Sequence, residues 1–170
     1  MIMFVMNIRL GINLSREGSM LNKYRLTRAT FALLFLIVTM LQLFSFPGQF
    51  AHIRKVEGFS LLFELALTIT VGALFLSAQV IIFSIFKVIN FMEKNAFYSP
   101  EALIWINRIV KTLKIAQLIP FALILLIAPQ ADDPGVLVML TAITLFLFSL
   151  FQISALMRDQ IAIKVASDFG

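Results

Sequence analysis

The 170-residue chain has no cysteine, one histidine and one tryptophan, and its charged residues amount to only 14%. The absence of cysteine excludes disulfides, thiolate nucleophiles and cysteine-ligated zinc or iron–sulfur centres. A lone histidine argues against a Ser–His–Asp triad and against a multi-histidine metal site. Soluble domains carry roughly 25% charged residues, so this chain lacks the charge that a water-exposed surface needs. What it has instead is apolar: 61% hydrophobic residues, 18 of them phenylalanine. The composition excludes a water-soluble globular domain.

Four runs carry no Asp, Glu, Lys or Arg: 29–46, 65–86, 115–131 and 135–157. A helix rises 1.5 Å per residue and a hydrocarbon core of about 30 Å takes about 20 residues. Open strands cannot cross lipid with their backbone unpaired, and no period-two alternation suggests a barrel. The expected fold class is therefore all-α: an integral membrane bundle of four transmembrane helices, with spans at 29–46, 60–86, 113–131 and 135–157. A basic N-terminal arm (1–28) precedes them and a short tail (158–170) follows. No small-x-small cleavage site follows the first span, which therefore reads as an uncleaved anchor. Met20 heads a short basic lead, and Arg16-Glu17-Gly18 reads as translation of a purine-rich ribosome-binding run. Residues 1–19 are accordingly expected either to be a translated leader before a start at Met20, or to be a partly apolar arm on the membrane.

Basic residues are distributed unevenly. Five lie in 1–28, five between spans two and three (Lys87, Lys94, Arg108, Lys111, Lys114) and two in the tail (Arg158, Lys164), against two, Arg54 and Lys55, after span one. The positive-inside rule then puts both termini in the cytoplasm. The net charge of +5 is accounted for by topology and anionic membrane lipid, so no direct nucleic-acid binding is expected.

Pro47-Gly48 is expected to stop the first helix and open an outer loop over 47–58, with His52 an exposed loop residue. Asp132-Asp133-Pro134-Gly135 reads as an acidic cap and a proline start for the fourth helix. Pro120 should kink span three. Thr68, Gly72, Ala73 and Ser77 make a small-residue stripe that lets another helix come close. Glu64 falls one turn inside the second helix, at the headgroup layer.

Ser99-Pro100-Glu101 is a helix start: hydroxyl cap, first-turn proline, carboxylate. Apolar residues recur from it at helical spacing, with Glu101, Arg108 and Lys111 on another face. The expectation is an amphipathic cytoplasmic helix between spans two and three, with Trp105 near the headgroups. Glu101, Trp105, Arg108 and Lys111 are the candidate partner-docking residues. Gln79, Gln117 and Gln152, all expected in the cytoplasmic half of their spans, form a candidate intramembrane polar cluster, as interhelical hydrogen bonds or as a polar pocket. No catalytic, metal or cofactor constellation emerges: Glu64 and His52, or Asp132 and Asp133, make no acid–base pair with a nucleophile, and no enzyme is expected.

Phe91 to Ala102, followed by Arg108-Ile109-Val110, resembles a family of small bacterial four-span membrane proteins of unknown function. In these the central cytoplasmic loop carries an aromatic, a Ser or Thr, a Glu and a later Arg. Ala102 stands where that family often has Asn, and the tail lacks its acidic run. The resemblance implies a multi-pass protein of the bacterial cytoplasmic membrane whose gene often lies beside one for a helix-turn-helix regulator. It therefore implies a cytoplasmic regulator as partner; the capped helix and the concentrated cytoplasmic charge leave another membrane protein as the other expected partner. The alternative expectation is an oligomeric transporter or channel subunit for a small or lipophilic solute, which would require a homo-oligomer.

Overall fold

A computed structural model describes the backbone of residues 2–130 and 134–169 and the side chains of 20–129 and 134–167. Every regular element among them is helical: α1 (Ile2–Met40), a π-helical turn (Leu41–Ser45), α2 (Phe46–Glu57), α3 (Leu61–Glu93), α4 (Pro100–Ala116), α5 (Leu118–Ile127), a short 3-10 turn (Ala128–Gln130) and α6 (Pro134–Phe169). Four stretches are long and apolar enough to cross a membrane: Met20–Glu57, Leu61–Glu93, Pro100–Ile127 and Pro134–Ser167. The chain is a four-span, multi-pass membrane protein by helix length and hydropathy. The side chains of 1–19, on which the leader reading turns, and the acidic cap Asp132-Asp133 lie outside the described residues.

The first span corrects the sequence reading. Pro47 and Gly48 do not end the helix, and 47–57 is not a loop. Proline has no N–H to donate and its ring strikes the carbonyl four residues back. The wide turn at Leu41–Ser45, where the Phe46 N–H donates to the Leu41 carbonyl five residues back, relieves that conflict. Pro47 then sits in the first turn of α2, where its missing N–H costs little. The helix ends at Gly58, with φ of 72° and its N–H on the Arg54 carbonyl at 3.0 Å. Only a residue without Cβ takes that left-handed conformation freely.

The other boundaries follow from local chemistry. Ser60 Oγ accepts from the Phe63 N–H at 3.2 Å and caps α3. At the far end Asn95 turns left-handed (φ 54°). The Ala96 N–H reaches the Phe91 carbonyl at 2.8 Å, and the Asn95 N–H reaches that of Met92 at 3.1 Å. This paired closure suits asparagine. Ser99 Oγ accepts from the Ala102 N–H at 3.2 Å with Pro100 in the first turn, as its sequence predicts. The third span breaks at Gln117, because Pro120 has no N–H for the Ala116 carbonyl.

Span one runs antiparallel to α3. An ion pair joins Arg28 to Glu93 at one end, and another joins Arg54 to Glu64 at the other. Between Arg28 and Arg54 lie about 39 Å of helix without a charged side chain. Between Glu64 and Glu93, Lys87 is the single charge. The two pairs thus bracket, on span one and α3, a slab of membrane dimensions that is apolar but for Lys87. Helix α4 packs against α3 on one side and α6 on the other, while α5 continues along α3 and α6. It buries Ala102, Ile106, Val110, Leu113 and Ala116. Two cores result. One gathers Leu67, Leu123 and Leu140 at the Glu64 end, and the other gathers Ile106, Ile161 and Val165 at the Glu93 end. Close packing uses Ala102, Ala116 and the fully buried Ser84; at Gly72, in the stripe of 68–77, a Cβ would meet nothing within 4 Å.

Candidate functional site

The end of the molecule where Arg28 meets Glu93 holds most of the charge and the only tryptophan. Helix α3 brings Phe83 and Lys87 there, one turn apart, and α4 brings Trp105 and Arg108. The Phe83 and Trp105 rings meet edge to face with centroids 5.8 Å apart. Lys87 Nζ lies 5.3 Å from the Phe83 centroid and 5.8 Å from that of Trp105, and the Arg108 guanidinium lies 4.5 Å from the Trp105 centroid. Each such contact is worth about 0.5–2 kcal/mol, more where water is excluded. Trp105 is half-buried in this stack, whereas Glu101, Arg108 and Lys111 are exposed.

The four candidate docking residues therefore divide. Glu101, Arg108 and Lys111 lie on the outward side of α4, while Trp105 is committed to Phe83, Lys87 and Arg108. Neither Arg108 nor Lys111 has a carboxylate within ion-pair distance among the described residues. Lys164 of α6 sits 4.0 Å from the centroid of Tyr98, just before α4, tying the end of α6 to this region.

The three glutamines have separate surroundings. Gln79 Nε2 donates to Thr39 Oγ1 on α1 at 2.9 Å. Gln117 Oε1, at the break before α5, is buried with no partner among the described residues. Gln152 is exposed. Glu64 is engaged by Arg54. Among the described residues no three of His, Asp and Glu stand close enough to hold a metal ion together. Two apolar cavities flank the region. One of about 290 Å³ lies between α3, α4 and α6, walled by Val88, Ile106, Met157 and Ile161, with Ser154 its one hydroxyl. The other, of about 300 Å³, lies between α1 and α3.

Sequence reading missed Lys87 as part of the stack and Thr39 as the partner of Gln79. The four-residue spacing of Phe83 and Lys87 was a usable signal, since such pairs share a helix face. Thr39 gave none, because its role depends on how α1 docks. Comparison with family models, curated proteins and solved structures finds no match for this chain. The geometry defines a class, a four-span membrane protein with a cationic, aromatic end; the family resemblance of residues 91–110 remains a matter of sequence pattern.

Proposed function

We propose that this chain is a regulatory or accessory protein of a bacterial cytoplasmic membrane that docks a partner through the outward face of α4. One observation carries the reading. Glu101, Arg108 and Lys111 are exposed on a helix whose opposite face is locked between α3 and α6, and the two cations have no carboxylate of their own among the described residues. A rigid helix presenting unpaired charge is a suitable surface for an acidic or mixed-charge partner. The loading of basic residues at this end supports placing it, with both termini, in the cytoplasm. The resemblance of residues 91–110 supports a helix-turn-helix regulator as the soluble candidate, with another membrane protein as the other. The protein itself would neither contact nucleic acid nor catalyse a reaction, and would need no cofactor.

The transport reading rested on a shared glutamine pocket. With Gln79 held by Thr39 and Gln152 exposed, docking has the stronger geometric support. The test is extraction of the tagged full chain from its native membrane in mild detergent, with mass spectrometry of what accompanies it. Recovery of a small DNA-binding protein or a larger membrane complex is expected, with recovery reduced at least about tenfold in Arg108→Glu/Lys111→Glu, since like-charge juxtaposition costs several kcal/mol. Recovery of the chain alone, or only as a homo-oligomer, overturns docking and favours transport.

A further inference from the structure

The cleft between α1 and α3 has a polarity that its lining alone does not explain. Its walls are Phe31, Ala32 and Phe35 of α1 and Ile82, Phe83 and Phe86 of α3, all apolar, around a space of about 300 Å³. Both phenyl rings at its head carry a cation: Lys87 lies 5.3 Å from the Phe83 centroid and Arg28 lies 6.0 Å from that of Phe86. Arg28 is neutralised by Glu93. Lys87 is not neutralised. It has no carboxylate partner among the described residues, and it is the one charge on α3 between the two bracketing ion pairs. It lies about 9 Å along the helix from Glu93, toward the slab. An ammonium near the end of a span without a counterion offers a site to an anionic headgroup.

We propose that this cleft binds one anionic phospholipid from the leaflet at the Arg28–Glu93 end. An acyl chain lies over Phe35 and Ile82, and the phosphodiester receives the Lys87 ammonium and the spare N–H groups of Arg28. An apolar slot in a membrane takes any acyl chain; the selectivity comes from the head. A zwitterionic lipid brings its own ammonium to its phosphate and gains little from Lys87, whereas an anionic headgroup supplies the missing counterion. The site is separate from the outward face of α4, so its failure and that of the docking reading are distinguishable.

Trp105, the single tryptophan of the chain, touches Phe83 and so reports on the cleft. The full chain is reconstituted in phosphatidylcholine vesicles containing either acyl-brominated phosphatidylglycerol or acyl-brominated phosphatidylcholine at equal mole fraction, and quenching of Trp105 fluorescence is measured. The expected result is about fivefold preferential occupancy by the anionic lipid, the factor one lysine contributes at a membrane surface. Lys87→Gln should bring the ratio close to one. Ala32→Phe should fill the slot and weaken quenching by both lipids. Equal quenching by the two lipids in the unaltered protein overturns the proposal, as does a preference that survives Lys87→Gln. Loss of the preference on adding millimolar inorganic phosphate assigns the cation to a soluble anion and overturns it too. The ratio in the unaltered protein decides the matter even where a variant does not fold.

Discussion

Gly58 and Gly72 are chemically identical and should respond oppositely to a methyl group. Gly58 holds φ at 72°, and a Cβ there is strained although nothing crowds it. Gly58→Ala should cost about 1–2 kcal/mol. Gly72 lies within α3 in open space, where alanine is the better helix former by about 1 kcal/mol, so Gly72→Ala should be neutral or stabilising. Thermal unfolding in one detergent compares the two; a loss at Gly72 as large as that at Gly58 would mean another helix does close on the stripe. The amides differ in the same way. Gln79→Leu removes the bond to Thr39, worth about 0.6 kcal/mol between membrane helices, and Thr39→Ala should add nothing further in the double variant. Gln152→Leu, at an exposed position with no interhelical partner among the described residues, should leave stability unchanged or raise it. A full additive loss in the Gln79/Thr39 cycle would show the two side chains act independently.

At the scale of elements, much was legible. Four charge-free runs anticipate the four helices long and apolar enough to cross a membrane, since in lipid length and hydropathy outweigh other signals. The start at Ser99-Pro100 is also legible, because capping is local chemistry. Ser99→Ala should cost about 1 kcal/mol, read as a lower unfolding midpoint, with Ser99→Asp restoring it; an unchanged midpoint in Ser99→Ala would remove the cap from the account of α4. The end of the first helix was misread for a physical reason. The rule that proline stops a helix assumes an α-helical turn before it, and a π turn at Leu41–Ser45 evades the assumption. The true signal lay further on, where Arg54 and Lys55 in a last turn precede Gly58, a C-terminus by charge and by glycine together. That reassignment has consequences: with 47–57 helical, Arg54 faces Glu64 and closes one end of the slab. The glutamine grouping was not legible, because three residues at similar depth on different spans meet only if the helix faces turn together. Here α1, through Thr39, takes up Gln79 instead.

At the scale of the molecule, the helices pack largely in chain order, span one on α3, α3 on α4, and α4 and α5 on α6. Spans one and four are the least buried: in the most apolar stretch of each, 6% of residues are buried, against 28% for span three. Span one is held to α3 by the two ion pairs at its ends, the Gln79–Thr39 bond and the aromatic contact of Phe46 with Phe75. The chain is naturally free of cysteine, which makes the arrangement directly measurable. Cysteine pairs at 28 with 93 and at 54 with 64 should each be joined within one polypeptide by a bismaleimide long enough to replace the arginine and glutamate side chains, whereas 28 with 64, at opposite ends of the slab, should not. Cross-linking of 28 with 64, or absence of both expected bridges, would dismiss the antiparallel alignment and with it the cleft between α1 and α3. The same background tests orientation. A membrane-impermeant thiol reagent should label Lys55→Cys in intact cells and Lys111→Cys only after the membrane is opened. The reverse pattern would put the outward face of α4 on the far side of the membrane, out of reach of any cytoplasmic regulator, and the partner would then have to be sought among exported or membrane-embedded proteins.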